Sequence, residues 1–224
     1  MDVELRVSAS ADAARRGAAE LLAEAALRGG HIALSGGSTP GPAYELAAKL
    51  QPDWSGTELW FADERCVEPD DKRSNYRLVK ERLLDSLDRP PAVQHRVLGE
   101  LPPGQAADRY DSELEGVGLE LVMLGIGDDG HTASLFPNDA ALEERQRRAV
   151  AVQGSDVDRV TMTLPVLRGA ATVVFFVLGR EKAPAVARAL GDVTDPATPA
   201  SLVRSDTGVT YAFLDRAAAS GLVT

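Results

Sequence analysis

The chain has 224 residues, 44% hydrophobic and 26% charged, an ordinary balance for a folded protein and enough to bury a core without disulfide or metal staples. Its 24 Lys and Arg against 34 Asp and Glu leave a net charge of −10, which disfavours non-specific binding to nucleic acid or an acidic membrane surface. The single cysteine, Cys66, excludes an intramolecular disulfide and a cysteine-rich zinc site and suits a reducing compartment, and no run approaches the ~20 apolar residues of a membrane span.

The polar start MDVELRVSAS does not read as a signal peptide, so a cytoplasmic protein is expected. Hydrophobic periodicity then predicts alternating strands and helices. VELRV at 3–7 is a polar-alternating strand, and an Ala-rich helix follows from about Ala11 to Leu27, stopped at Gly29-Gly30. HIAL at 31–34 is a strand, residues 35–42 a Gly/Ser/Pro loop, 43–50 a helix and TELWFA at 57–62 a strand. A polar loop runs to Arg73; Ser74 or Asn75 then caps a helix reading NYRLVKERLLDSL, and a Pro-rich connector at 90–103 leads to a second amphipathic helix near 104–115.

LELVMLGIG at 119–127 is apolar on both faces, the pattern of a central strand in a parallel sheet covered by helices. Strands near 148–152, 159–163 and 171–178, a helix at about 181–190 and a last strand VTYAFLD at 209–215 complete the pattern. The fold expected is α/β: a Rossmann-like three-layer sandwich with a mainly parallel central sheet, one domain over residues 1–224.

Four segments carry chemistry. LSGGSTP at 34–40 ends a strand in two glycines and two hydroxyls and opens a helix with Pro40 and Gly41. Backbone N–H groups freed by glycine, hydroxyl donors and a helix N-terminus together make a phosphate cradle, although a plain strand-to-helix turn has the same letters. No Lys completes GxxxxGK[ST], so a nucleoside triphosphate is not indicated. In FADERCVEPDDKRSNY at 61–76 an apolar strand runs straight into Asp63, Glu64 and Arg65. Strand carboxyl ends are where open α/β sheets bind ligands.

GIGDDGHTASLFP at 125–137 matches the dinucleotide fingerprint GxGxxG at Gly125, Gly127 and Gly130, but Pro137 interrupts within two turns the long helix that fingerprint requires. The glycines instead shape a tight loop presenting His131, with Asp128 or Asp129 available to orient its ring. His31 at a strand start and His95 in the connector read as bystanders, and Ser134 lacks the GxSxG elbow of a nucleophile. Dispersed cations complete the set: Arg65 and Arg73, Arg159 opening RVTMTLP, and Lys182 after LGREK, at three separate strand ends.

Taken together, SGGSTP, ADER followed by SNY, GxGxDGHTASLFP, RVTMTLP and GREKA resemble, in the same order, the motifs of the 6-phosphogluconolactonase family, within the superfamily that holds glucosamine-6-phosphate deaminases and ribose-5-phosphate isomerases. The resemblance spans nearly the whole chain. It implies the fold of that superfamily without a dinucleotide, and hydrolysis of 6-phospho-D-glucono-1,5-lactone to 6-phospho-D-gluconate in the oxidative pentose phosphate pathway, with no cofactor and no metal. It implies His131 as general base on water and Asp129 as its orienting carboxylate. It also implies a phosphate site of Gly36, Gly37, Ser38 and Thr39 with Lys182, with Arg65, Arg73 and Arg159 toward the lactone end or the phosphate and Asp63 lining the cleft. The partner implied is a small sugar-phosphate lactone, not nucleic acid or membrane, the chain acts as a monomer, and 64–73 is the candidate loop to close over substrate.

Two rivals stand beside it. A sugar-phosphate deaminase or isomerase of the same fold would use Asp63 as a base, but deaminases resemble DGHIAFNEP after the histidine, and this chain offers no acid there until Asp139. A non-catalytic sugar-phosphate-binding protein would keep the cradle without needing Asp129 and His131.

Overall fold

Alternating apolar segments and capped helices assemble into two sheets in the computed structural model, which describes residues 3–222. Residues 1, 2, 223 and 224, the ends of the expected 1–224 domain, lie outside the described residues. In chain order the elements are β1 (Val3–Ser8), α1 (Ala11–Arg28), β2 (Gly30–Leu34), α2 (Gly41–Leu50), β3 (Thr57–Phe61), β4 (Asp63–Arg65), α3 (Asn75–Arg82), β5 (Val93–His95), α4 (Pro103–Glu113), β6 (Leu119–Leu124), β7 (Ala149–Val152), β8 (Arg159–Met162), α5 (Leu164–Gly169), β9 (Thr172–Val177), α6 (Ala183–Leu190) and β10 (Val209–Asp215).

Seven strands form a wholly parallel sheet in the order β1-β10-β9-β6-β2-β3-β5. Its interior strands are buried on both faces, and the alternation of side chains splits the core in two. Ile32, Leu34, Leu59, Phe61, Leu121, Met123, Val174 and Phe176 face α1, α2 and α3. Ala33, Trp60, Val122, Leu124, Val173 and Phe175 face α4, α5, α6 and the second sheet. The three-layer α/β sandwich expected from the sequence is present.

Local chemistry sets the boundaries. Ser10 caps α1 by accepting from Ala13 N, and Gly29, at φ 81°, ends it. Ser74 rather than Asn75 caps α3, accepting from Arg77 N at 3.1 Å. That helix ends at Arg82 rather than running on to Leu87, because the buried Leu83 leaves the helical basin at φ −129° and the chain continues as a single 3-10 turn over Leu84–Ser86.

The expected strands near 148–152 and 159–163 do not join the main sheet. Only residues 153–158 separate β7 from β8, too few for the crossover that parallel strands need, so the two pair antiparallel, and β4 joins β8 to complete a three-stranded sheet. The polar loop expected after TELWFA therefore begins with a strand, and the Pro-rich connector holds another, β5, paired with β3. α5 was not visible in the periodicity, being six residues long.

Ala62 ties the sheets together, its N–H donating to Leu34 O at 2.9 Å and its carbonyl accepting from Met162 N at 2.8 Å. From β2 the chain moves outward through β3 to β5; from β6 it moves the other way through β9 to β10. The two directions part between β2 and β6, the switch point where open α/β sheets leave a crevice at the strand carboxyl ends.

Candidate active site

Four adjacent strands deliver the four sequence signals to that crevice. After β2 comes Ser35–Thr39, after β3 comes Asp63–Arg65, after β6 the loop 125–131, and after β9 Lys182. They line one cleft of about 310 Å³, together with Tyr44 from α2 and Asn75 from α3.

In the loop after β6, His131 Nδ1 lies 2.7 Å from Asp129 Oδ1, and the same oxygen accepts the His131 main-chain N–H at 3.0 Å. Asp129, not Asp128, is therefore the orienting carboxylate. Partial burial opposes ionisation of Asp129, but the main-chain N–H and the ring of His131 outweigh it and hold the carboxyl below its ordinary value. An ionised Asp129 accepts from Nδ1–H and leaves Nε2 as the basic nitrogen.

Glycine is required at position 127, where a Cβ would lie 2.1 Å from His131 Nδ1. The dinucleotide reading stays rejected, for no long helix follows Gly130.

The cradle is held from behind. Tyr44 Oη donates to Ser35 O at 2.7 Å, and burial pushes its phenol well above the ordinary range, so it stays a donor. At Gly36 a Cβ would meet Asn75 Oδ1 at 1.8 Å. Asn75 in turn donates to Asp63 Oδ1 at 3.0 Å, and Ser134 Oγ donates to Asp63 Oδ2 at 2.6 Å. Asp63 thus lines the cleft as a fully engaged carboxylate, and Ser134 is its donor rather than a nucleophile. Glu64, beside it, accepts from the N–H groups of Arg65, Asn75 and Tyr76 and from Ser74 Oγ, pinning the start of α3. Burial raises its pKa against those hydrogen bonds.

The four expected cations separate. Arg65 and Lys182 line the cleft. Lys182 Nζ sits 2.7 Å from Asp128 Oδ1, whereas Arg65 has no acidic partner among the described residues and donates to the carbonyl of Arg73. Arg73 and Arg159 do not reach the cleft wall: Arg73 is gripped by Asp71 through Nε and Nη2, and Arg159, opposite Arg65 in the β4–β8 register, is held by Asp156 at 2.6 Å.

Ser35, Tyr44 and Asn75 are cleft residues that sequence reasoning missed. Ser35 Oγ is buried without a hydrogen-bond partner. The hydroxyl at position 35 was legible in SGGSTP, but its burial without a partner was not, and neither was the bond from Tyr44, 9 residues away, to the Ser35 carbonyl. His31 and His95 are bystanders to this cleft: both flank Trp60, which donates to His31 Nδ1 at 3.0 Å and stacks on His95 at 3.7 Å between ring centroids. Cys66 lies outside the cleft, its thiol pushed up to about 11 by burial and then by Asp158 and Glu64. No group of three or more His, Cys, Asp or Glu among the described residues is placed to hold a metal ion, and no helix is long and apolar enough to cross a membrane.

Fold and cleft together define a doubly wound α/β protein that can hold a small anion beside an Asp–His pair. Known proteins sharpen that class. The family model for glucosamine-6-phosphate isomerases/6-phosphogluconolactonase matches residues 6–212, and the chain belongs to that family. A human 6-phosphogluconolactonase is 38% identical over 203 residues, covering 84% of this chain and 79% of the human one. The crystal structure of a Thermotoga maritima 6-phosphogluconolactonase superposes with TM-score 0.78 at 29% identity, over 96% of this chain and 99% of that one. A monomeric glucosamine-6-phosphate deaminase superposes at TM-score 0.88 with 20% identity, over 98% of this chain and all (100%) of that one, which shows that the fold is common to both activities.

Proposed function

We propose that this chain hydrolyses 6-phospho-D-glucono-1,5-lactone to 6-phospho-D-gluconate, with His131 as general base. The observation that carries this reading is His131 at the wall of the cleft with Nδ1 2.7 Å from Asp129 Oδ1, which leaves Nε2 basic. A lactone is an ester, so its opening needs a base for water and a positive donor for the oxyanion, and both are at hand.

His131 Nε2 takes a proton from water as the water oxygen bonds to C1, and the carbonyl oxygen becomes an oxyanion. Collapse breaks the bond between C1 and the ring oxygen, which leaves with the proton His131 returns. The new carboxylic acid then releases a proton to solvent. Gly36, Gly37, Ser38 and Thr39 with Lys182 hold the phosphate, and Arg65, the cleft cation without an acidic partner, meets the oxyanion. Arg73 and Arg159 enter only on releasing Asp71 and Asp156. Asp63 positions Asn75 and Ser134. The chain works as one unit, a cytoplasmic monomer without a cofactor.

The test is acid release from freshly prepared 6-phosphogluconolactone at neutral pH, corrected for spontaneous opening, with ammonia release from glucosamine 6-phosphate measured alongside. Rapid lactone opening without ammonia is expected. Ammonia release would make the chain a deaminase, and binding of the sugar phosphate with neither reaction would make it a binding protein.

A further inference from the structure

Two consecutive aspartates after β6 divide their work. Asp129 turns onto His131, while Asp128 turns the other way onto Lys182, with Oδ1 at 2.7 Å from Nζ. The Asp128 side chain is 77% exposed and that of Lys182 only 25%, so the lysine is seated in the cleft wall and the aspartate comes to it from the solvent side. Behind Asp128 stands a further cation, Arg188 of α6, whose Nη2 donates to the Asp128 main-chain carbonyl at 3.1 Å.

A site for a phosphate dianion thus has its lysine already neutralised. The anion has to take Nζ from Asp128 or share it at close range, and two like charges within a few ångströms of one ammonium repel. Asp128 has somewhere to go: water on its exposed side and the guanidinium of Arg188 beside its own carbonyl. Asp129 cannot make the same exchange without releasing His131.

We propose that Asp128 is an exchangeable counter-ion that competes with the substrate's phosphate for Lys182 and thereby sets the affinity of the cleft for anions. This rests on the reading of Lys182 as a phosphate ligand. Asp128 is in this sense a positioning residue, acting through Lys182 and touching no reacting atom.

The experiment compares Asp128→Asn, which keeps the shape and removes the charge, with Lys182→Ala and the parent protein. Binding of inorganic phosphate is measured by calorimetry, and KM and kcat with the phosphorylated lactone and with unphosphorylated glucono-1,5-lactone. Asp128→Asn is expected to tighten phosphate binding and lower KM for the phosphorylated lactone by about threefold to tenfold, with a much smaller change in kcat and none in KM for the unphosphorylated lactone. Unchanged or weaker phosphate binding in Asp128→Asn, while Lys182→Ala weakens it, would overturn the proposal alone and leave Asp128 as a brace for the lysine. Unchanged phosphate binding in Lys182→Ala would remove the phosphate site at Lys182 and the proposal with it.

Discussion

At the scale of single residues, two pairs shape the cleft and two hold cations off it. Asp129 with His131 and Asp128 with Lys182 stand at the cleft, Asp71 with Arg73 and Asp156 with Arg159 lie outside it, and of the four expected cations Arg65 alone has a carbonyl instead of a carboxylate. His131→Ala is expected to lower kcat by about 10² to 10⁴-fold, the usual worth of a general base, with the circular dichroism spectrum and melting temperature unchanged. Asp129→Asn is expected to cost less, because it unsettles the ring's tautomer without removing the base. The pH dependence has a definite sign. Asp129 is held below its ordinary value in the folded chain, so its contribution to stability is complete above the usual aspartate range and is lost only as pH falls through that lowered value. Titration of Asp129 is therefore absent from the kcat/KM profile near neutrality and shows in stability instead: the fall in melting temperature on the acid side is expected to be smaller in Asp129→Asn than in the parent.

At the scale of elements, loops hold the geometry because helices and strands hold the loops. Gly127 and Gly36 make the point by contrast. A methyl at 127 would lie 2.1 Å from His131 Nδ1 and displace the ring from Asp129, toward the solvent side that its 35% exposure leaves open. Gly127→Ala is thus expected to lose activity nearly as far as His131→Ala does while melting close to the parent. A methyl at 36 would lie 1.8 Å from Asn75 Oδ1, in a buried side chain bonded to Asp63, so the strain cannot be relieved locally. Gly36→Ala is expected to destabilise by about 1–3 kcal/mol as an overpacked site does, read by denaturant melts of the two variants side by side. The loop letters GIGDDGH and SGGSTP were plain in the sequence; the reason each glycine is needed was not, since Asn75 meets Gly36 from 39 residues away.

At the scale of the whole molecule, a chain of net charge −10 opens its cleft at one edge of the sheet, where the phosphate site is proposed. A ligand bound there that does not bind the unfolded chain must stabilise the whole fold by mass action. Inorganic phosphate at one hundred times its dissociation constant is expected to add about 2.7 kcal/mol, a rise of several degrees in melting temperature, and Lys182→Ala is expected to abolish that rise. A shift that survives in Lys182→Ala would place the phosphate elsewhere.

Sequence by itself determined the main alternation of strands and helices, the stop of α1 at Gly29, the central strand at 119–124 and the family to which the loop motifs point. These are local properties, periodicity and turn chemistry, read within a dozen residues of chain. Tertiary structure alone decided that β7 and β8 leave the parallel sheet for a small antiparallel one and that Arg73 and Arg159 are spoken for by Asp71 and Asp156, and it gave the geometry of the Asp129–His131 pair that the family resemblance implied. It also brought Ser35, Tyr44 and Asn75 to the cleft. For the side chains the physical reason is the same: which carboxylate meets which cation depends on the direction a side chain takes from a folded backbone. Composition and spacing carry no such direction.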